Sequence, residues 1–379
     1  MSDVRRQLSR QWIPIVGGSC DLRLGEDAVL SAGKVMRDSV GRPHLCVIVH
    51  STNEERRLVE ELQRQAIDAG FSCVLYPVED KCRTSDCAAR LNSAFASYGI
   101  TADDLCCAVG NADLISVASS VCGSWCQGMS LLGIPRDEVA LFEGVLIPRA
   151  LDVGNSTGVV SVRPAARHAL LDLSYVMGSS ESEESRHARV LMVGAALSSS
   201  EIEFSHLWDN AHLLVNGDAE TRRAQIIETA KQRGKLDCSS AMAVRNSLSF
   251  GRLFADACAT LLPDAGYSSL LAEGMRFCAR ISVAQDKLPL DDMLALDELL
   301  DLMEIETVIC DLDERDLMTA YLHQKNLRSR RNLLEIPLAM GRVRLASVEN
   351  DMLEEHIGAW CDAHRKMCGN EEKYESDYC

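Results

Sequence analysis

Short apolar runs alternate with segments of helical periodicity over the first half of the chain. Residues 10–17, 43–50 and 71–77 are nearly continuous apolar runs of the length of buried strands. Between the last two runs, residues 54–69 repeat apolar positions every three or four residues, as one face of a helix does. A strand, a helix of this length and a second strand have the spacing of a parallel βαβ unit.

The same alternation continues to residue 126. Helical spacing at residues 85–97 and 114–126 flanks a further apolar strand at residues 104–110. The pattern predicts an α/β fold whose N-terminal part is a Rossmann-like parallel-sheet domain.

The second half of the chain has a different periodicity. From residue 187 onward the apolar positions follow helical spacing, and the next strand is predicted only at residues 333–337, before a final helix at 346–367. Residues 178–185 combine small and like-charged side chains, which do not nucleate packing. The sequence therefore predicts a Rossmann-like domain over residues 1–178 and an all-α domain over residues 179–379.

Charge and composition exclude some partners. The 379 residues carry a formal net charge of −17, whereas binding to a nucleic-acid backbone requires clustered Lys and Arg, so no nucleic-acid partner is expected. No apolar run approaches the roughly 20 residues that span a bilayer, so no membrane partner is expected either. We expect a cytoplasmic protein.

Sixteen cysteines are unusual for such a chain. Most of them stand singly within apolar segments, where a free thiol behaves as a small core side chain, so we expect reduced, buried thiols. Cys361, His364 and Cys368 have a spacing that could hold a metal, but they also fall on one predicted amphipathic helix, and the helix is the favoured interpretation.

Candidate ligand-binding residues follow the predicted strands, where parallel sheets form their sites. Glu79-Asp80-Lys81 follows the strand at 71–77, and Val109-Gly110-Asn111-Ala112-Asp113 joins the strand at 104–110 to its helix. A charged loop is as easily a solvated surface as a site. A glycine loop at a helix start, however, is where backbone amides can approach a pyrophosphate.

With these two blocks, further segments resemble the 3-dehydroquinate synthases in order and spacing over nearly the whole chain. The segments are Ile134-Pro135 to Glu143, Val162-Arg163-Pro164 to Leu173, Ala188-Arg189 to Gly194, Arg245 to Met275, and Leu334 to Gly341. The resemblance implies a Rossmann-like domain followed by a helical domain, assembled as a homodimer. It also implies a reaction of the shikimate (aromatic amino-acid) pathway type, in which NAD and a zinc ion act on a seven-carbon sugar acid phosphate.

The resemblance also implies roles for individual residues. It assigns catalytic positions to Glu143, Lys231, Arg245 and Lys325. It assigns cofactor-binding positions to Glu79, Lys81, Gly110 and Asp113, and substrate-binding positions to Arg149, Asn155 and Arg252.

The zinc ligands of the resembled family are one Glu and two His, and none of them is present. Their positions are occupied by Arg189, Arg252 and Tyr267, and a cation cannot coordinate a cation. No metal is therefore expected unless Asp256, His187, Asp264 or Glu273 form a rebuilt site. Gly110 is the one glycine that remains of the glycine loop of the resembled family. The loop therefore does not support NAD as a cofactor, although the resemblance as a whole implies it.

Two functions follow from these departures. The first is a degenerate pseudoenzyme whose remaining Arg and Lys form a cationic pocket for a phosphorylated or carboxylated ligand. In a variant of this hypothesis, Arg189 and Arg252 pair with Glu143, Asp113 or Asp256, which fills the pocket with ion pairs. The second is an active NAD-dependent 3-dehydroquinate synthase, or a related cyclase or polyol dehydrogenase, with a rebuilt site.

Overall fold

A seven-stranded sheet forms the centre of the first unit of the chain. The computed structural model describes residues 8–176 and 181–376, with side chains up to residue 368. Within this part, one compact unit contains residues up to 176 together with Ile226–Cys238, and a second contains residues 181–225 and those from 239 onward. The predicted boundary between residues 178 and 179 lies outside the described residues.

The sheet has the order β1-β2-β9-β6-β5-β3-β4. Its strands are β1 Ser9–Ile15, β2 Gly18–Gly25, β3 Leu45–Ser51, β4 Ser72–Val78, β5 Leu105–Gly110, β6 Ser130–Pro135 and β9 Ala166–Asp172. Only β1 and β2 pair antiparallel, and all other neighbours are parallel. The Rossmann-like prediction is confirmed, and β2, β6 and β9 are additions to the strands predicted from apolar periodicity.

The helices of this unit cover a core of apolar strand residues. They are α1 Ala32–Asp38, α2 Arg56–Asp68, α3 Ser85–Tyr98, α4 Ala112–Ser124, the short α5 Glu138–Ala140 and α6 Leu173–Val176. A π-helical turn, Leu141–Leu146, follows α5, and a small hairpin of β7 Leu151–Val153 and β8 Ser156–Val160 follows the turn. All six residues of β5 are buried because helices cover both faces of a parallel sheet.

The second unit is built of helices and one hairpin. The helices are α7 Glu183–Ser199, α8 Glu201–Val215, α10 Met242–Arg245, α11 Arg252–Leu261, α12 Tyr267–Ala284, α13 Leu290–Leu302, α14 Glu314–Arg328 and α15 Asn350–Ser376. The helix α9, Ala219–Asp237, contributes its second half to the first unit. The hairpin pairs β10 Leu333–Ala339 with β11 Arg342–Ser347. The predicted helix at 346–367 is therefore wrong at its start, because residues 346 and 347 pair within β11.

Helices α11 and α12 cross at two glycines. Gly251 adopts a φ of +80°, and a Cβ atom there would lie 2.6 Å from the amide nitrogen of Met275. A Cβ atom on Gly274 would overlap the carbonyl oxygen of Gly251. Phe254 and Phe277 stack beside the crossing with their ring centroids 4.2 Å apart. The two glycines therefore have a packing role that does not depend on any metal.

Candidate functional site

Glu143 is the centre of a buried ion-pair cluster in the first unit. The π-helical turn after β6 and α5 carries this carboxylate, whose side chain is 3% exposed. Arg149 donates from Nε and Nη2 to Glu143 Oε2 at 2.9 and 2.8 Å. Arg233, on the second half of α9, approaches Oε1 with its Nη2 at 3.5 Å. Each carboxylate oxygen of Glu143 therefore faces a guanidinium group.

The cluster continues along the carboxyl ends of the strands. Arg149 also donates from Nη1 to Asp113 Oδ1 at 3.1 Å, at the start of α4. Arg83 lies with its Nε 3.9 Å from the same oxygen and donates from Nη2 to Asp152 at 3.2 Å. We call Arg233, Glu143, Arg149, Asp113, Arg83 and Asp152 the arginine–carboxylate chain. Its three cations and three anions alternate, so these six side chains have no net formal charge.

Half of the arginine–carboxylate chain was predicted from the sequence. Glu143, Arg149 and Asp113 were predicted as site residues, whereas Arg83, Asp152 and Arg233 were not. No local pattern identifies Arg83, because its partners Asp113 and Asp152 are distant in the sequence. Asp80, three positions before it, is not one of them. Asp80 instead accepts hydrogen bonds from Ser51 and Asn53, and Glu79 and Lys81 are exposed.

In the loop that follows β5, the side chain of Asn111 caps the first turn of α4. Gly110 ends β5 with a φ of +152°, and Asn111 is the N-cap of α4, its Oδ1 accepting from the Leu114 amide at 3.0 Å. The backbone of Ala112 packs so closely on Gly144 that a Cβ atom on Gly144 would lie 3.0 Å from the Ala112 Cα. The side chain of Asn111 thus takes an amide that a bare glycine loop would leave to a ligand.

Two of the three residues that occupy the zinc-ligand positions of the resembled family have neutral or anionic protein partners in the second unit. Arg189, on α7, donates from Nε to the Met303 carbonyl oxygen at 2.9 Å. Tyr267 donates its hydroxyl to Asp256 Oδ1 at 2.7 Å, and Arg328 approaches Asp256 Oδ2 at 3.3 Å. Asp256 therefore pairs with Tyr267 and Arg328.

The remaining predicted cations have different surroundings. Lys231 is partly exposed on α9 and pairs with Glu228 at 3.3 Å, an ordinary surface contact three residues apart. In the second unit, Arg245 donates to the Ser239 carbonyl oxygen at 2.9 Å, and Lys325 donates to Asn332 Oδ1 at 2.9 Å. Both of these acceptors are neutral. Asn155 is exposed at the turn between β7 and β8.

Comparison with known proteins supports the fold. No family model and no curated protein matches the chain. Among solved structures, 2-deoxy-scyllo-inosose synthase complexed with carbaglucose-6-phosphate, NAD+ and Co2+ matches with a TM-score of 0.79 and 16% identity, over 92% of this chain and 99% of that chain. The fold is that of the sugar-phosphate cyclases of the dehydroquinate synthase superfamily.

Two further solved structures share this fold. The 2-epi-5-epi-valiolone synthase from Streptomyces hygroscopicus subsp. jinggangensis, with NAD+ and Zn2+ bound, has a TM-score of 0.76 and 11% identity, over 92% of this chain and 97% of that chain. An iron-containing alcohol dehydrogenase from Thermococcus thioreducens has a TM-score of 0.63 and 13% identity, over 90% of this chain and 98% of that chain.

The residues of this chain do not fit the metal that sugar-phosphate cyclases of this fold bind. Arginine has no lone pair to offer a cation, and both oxygens of Asp256 already accept from Tyr267 and Arg328. Glu273, named as a possible replacement ligand, accepts from Arg276 and Trp360. Across the described residues, no group of three or more His, Cys, Asp or Glu side chains could hold a metal ion.

The fit to a dinucleotide is also poor. A pyrophosphate at the start of α4 would compete with Asn111 for the Leu114 amide. Asp113 is already paired with Arg149 and Arg83. The start of α4 is therefore occupied by contacts within the protein.

None of the described helices is long and apolar enough to cross a membrane.

Proposed function

We propose that this protein binds a small carboxylated or phosphorylated ligand in its helical unit without performing zinc-assisted cyclisation. We assign the binding of the ligand's anionic group to Arg245 and Lys325. The resemblance to the 3-dehydroquinate synthases assigns both to catalytic positions, and it links that of Arg245 to a substrate anion. The function is that of a pseudoenzyme on the sugar-phosphate cyclase fold.

The observation that supports this proposal most directly is the pairing of these two cations. Lys325 is only 8% exposed, yet its ammonium group meets the neutral amide oxygen of Asn332. Arg245 is half-buried and meets a backbone carbonyl. Within the described part of the chain, neither side chain has a carboxylate within ion-pair distance. Buried cations normally have an anionic partner, so both retain positive charge that an anionic ligand could neutralise.

The ion pairs of Arg149 and Glu143 support a ligand that is bound but not chemically changed. Arg149 already faces two carboxylates, so it contributes little attraction to a further anion. Glu143, the position of a catalytic carboxylate in the resembled family, is held between Arg149 and Arg233. A carboxylate that accepts from two guanidinium groups is a poor proton acceptor for a substrate.

Calorimetric titration tests the binding role. The probes are inorganic phosphate, citrate and the seven-carbon 3-deoxy sugar acid phosphate, each at low and high salt. Removing one charged hydrogen bond costs about 1.5–3 kcal/mol, so Lys325→Gln and Arg245→Gln should each weaken binding by ~10–100-fold. Lys287→Gln and Arg330→Gln are matched controls on exposed residues of the same unit. Equal affinity in all four variants would refute the assignment.

A separate assay tests the absence of chemistry. The wild-type protein is incubated with zinc or cobalt, NAD and the seven-carbon substrate, and phosphate release is measured. We expect no release above that of a heat-denatured sample. Turnover at ordinary enzyme rates of about 1 per second or more would instead show an active enzyme with a rebuilt site.

A further inference from the structure

The first unit contains three pairs of cysteines whose thiols are close enough to interact. Cys46 and Cys73 are register partners on β3 and β4. Cys106 on β5 contacts Cys122 on α4. Cys82 and Cys87 form the third pair, between β4 and the first turn of α3. All six are free thiols. A thiol already in contact with another can form a disulfide with little movement of the backbone.

The backbone at the start of α3 holds Cys82 and Cys87 together. Thr84 is the N-cap of α3, and its Oγ1 accepts from the Cys87 amide at 3.1 Å. The Thr84 amide in turn donates to the Cys82 carbonyl oxygen at 2.6 Å. Because both hydrogen bonds involve Thr84, the chain turns back between the two cysteines, which are five positions apart.

The position of Cys87 distinguishes this pair from the other two. Cys87 is the third residue of α3, near the positive end of the helix dipole, and its thiol is hydrogen-bonded by Cys82 and lies near Arg90. These contacts lower the pKa of the Cys87 thiol to about 7, with Cys82 the largest cause. By contrast, the pKa of Cys46 and of Cys106 is raised, by the partner thiol and by burial. The pKa of the Cys73 thiol is lowered by Cys46, but Cys73 lies within a strand and not at a helix start.

The pair lies just beneath the surface. Cys82 and Cys87 are each 3% exposed, but their chain neighbours Lys81 and Asp86 are exposed. Cys46 and Cys106, in contrast, are wholly buried within the sheet. A small oxidant therefore has a shorter path to Cys87 than to Cys46 or Cys106, whereas Cys73, on the edge strand β4, is partly exposed.

We propose that Cys82 and Cys87 are a redox modification site that forms a reversible disulfide when hydrogen peroxide oxidises Cys87. The Cys87 thiolate attacks one peroxide oxygen, an S–O bond forms, the O–O bond breaks and hydroxide leaves. The sulfur loses two electrons to the peroxide and becomes a sulfenic acid. The Cys82 sulfur then attacks this sulfur, so the S–S bond forms and the S–O bond breaks. The departing oxygen leaves as water with the proton of Cys82, and a dithiol reductant reverses the reaction.

Peptide mapping reads this disulfide directly. Trypsin cleaves after Lys81, Arg83 and Arg90, so Cys82 and Cys87 fall in separate peptides, residues 82–83 and 84–90. The reduced protein is treated with equimolar hydrogen peroxide, alkylated and digested without reductant. We expect the mass of the two peptides joined by a disulfide, which dithiothreitol removes. Absence of this linked species while other cysteines are oxidised would overturn the proposal.

Single variants test the order of the two steps. In Cys82→Ser the sulfenic acid has no thiol partner, so dimedone should label Cys87. In Cys87→Ser neither the linked peptide nor a dimedone adduct at Cys82 should form. Cys126→Ser, at an exposed cysteine, is the matched control and should give the same linked peptide as the wild type. A dimedone adduct at Cys82 in Cys87→Ser, or a dominant link between Cys46 and Cys73, would contradict the proposal.

Discussion

The backbone of Gly251 lies directly against the backbone of Gly274, so helices α11 and α12 cross with no side chain between them. The resemblance to the 3-dehydroquinate synthases includes both glycines, while the metal-binding histidines around them are replaced by Arg252 and Tyr267. The packing explains this difference. A side chain at either glycine would have to displace backbone atoms, whereas the positions of the former metal ligands accept other side chains.

A substitution at this crossing should therefore reduce stability. In Gly274→Ala the new Cβ atom meets the Gly251 carbonyl group, and the helices can accept it only by separating. Overpacking of a close contact costs about 1–3 kcal/mol, and occasionally more. We expect a lower urea midpoint, measured by circular dichroism. Gly358→Ala, within α15, is the control, since its Cβ atom would meet only the side chain of Glu314. Equal midpoints for the two variants would argue against the crossing.

The buried charges of the first unit support a second prediction. Replacing Glu143 with Gln preserves the shape of the side chain but leaves Arg149 and Arg233 without this anion. Breaking a buried ion pair by removing one partner costs about 3–5 kcal/mol, so Glu143→Gln should unfold at a clearly lower urea concentration. Glu60→Gln removes the partner of Arg56 on the exposed face of α2, and we expect a change below about 1 kcal/mol there. A Glu143→Gln protein as stable as Glu60→Gln would mean that the cluster is solvated.

The sequence predicted the layered fold because apolar periodicity determines which segments are buried strands and which are helices. It identified Glu143, Arg149 and Asp113 as site residues, but it could not predict how the arginine–carboxylate chain is paired. Arg83, Asp113 and Arg233 are far apart in the sequence, and any of them alone resembles a solvated charge. Their pairing depends on the order of strands in the sheet, which brings the ends of β4, β5 and β6 to one edge. The glycine crossing was visible as a motif, but only the helix packing gives its physical reason.

Zinc should not stabilise the wild-type protein. A ligand that binds only the folded state at 100 times its dissociation constant adds about 2.7 kcal/mol to the free energy of unfolding. The partners of Arg189 and Tyr267 leave no ligand set, so we expect the same melting temperature in zinc and in a chelator. The triple variant Arg189→Glu, Arg252→His, Tyr267→His restores the ligand types of the resembled family and should gain zinc-dependent stability. A zinc-stabilised wild type would contradict our interpretation of these positions.

The last prediction concerns the pH dependence of stability. Burial raises the pKa of the Glu335 carboxyl, on β10, from 4.5 to about 7, and its own backbone amide and Arg328 oppose this shift. The folded protein therefore binds a proton that the unfolded chain has released between these two pH values. Stability from this group should fall as the pH rises from about 4.5 to about 7 and then remain constant.

Removing the charge at Glu335 isolates this contribution. Glu335→Gln cannot ionise, so the variant should gain stability relative to the wild type above pH 7 and lose that advantage near pH 5. Urea unfolding of both proteins at pH 5 and pH 8 measures the difference. Glu349→Gln, on an exposed carboxylate just beyond the hairpin, is the control and should follow the wild type at both pH values. A stability difference between Glu335→Gln and wild type that does not change with pH would show that the carboxyl titrates normally in the folded protein.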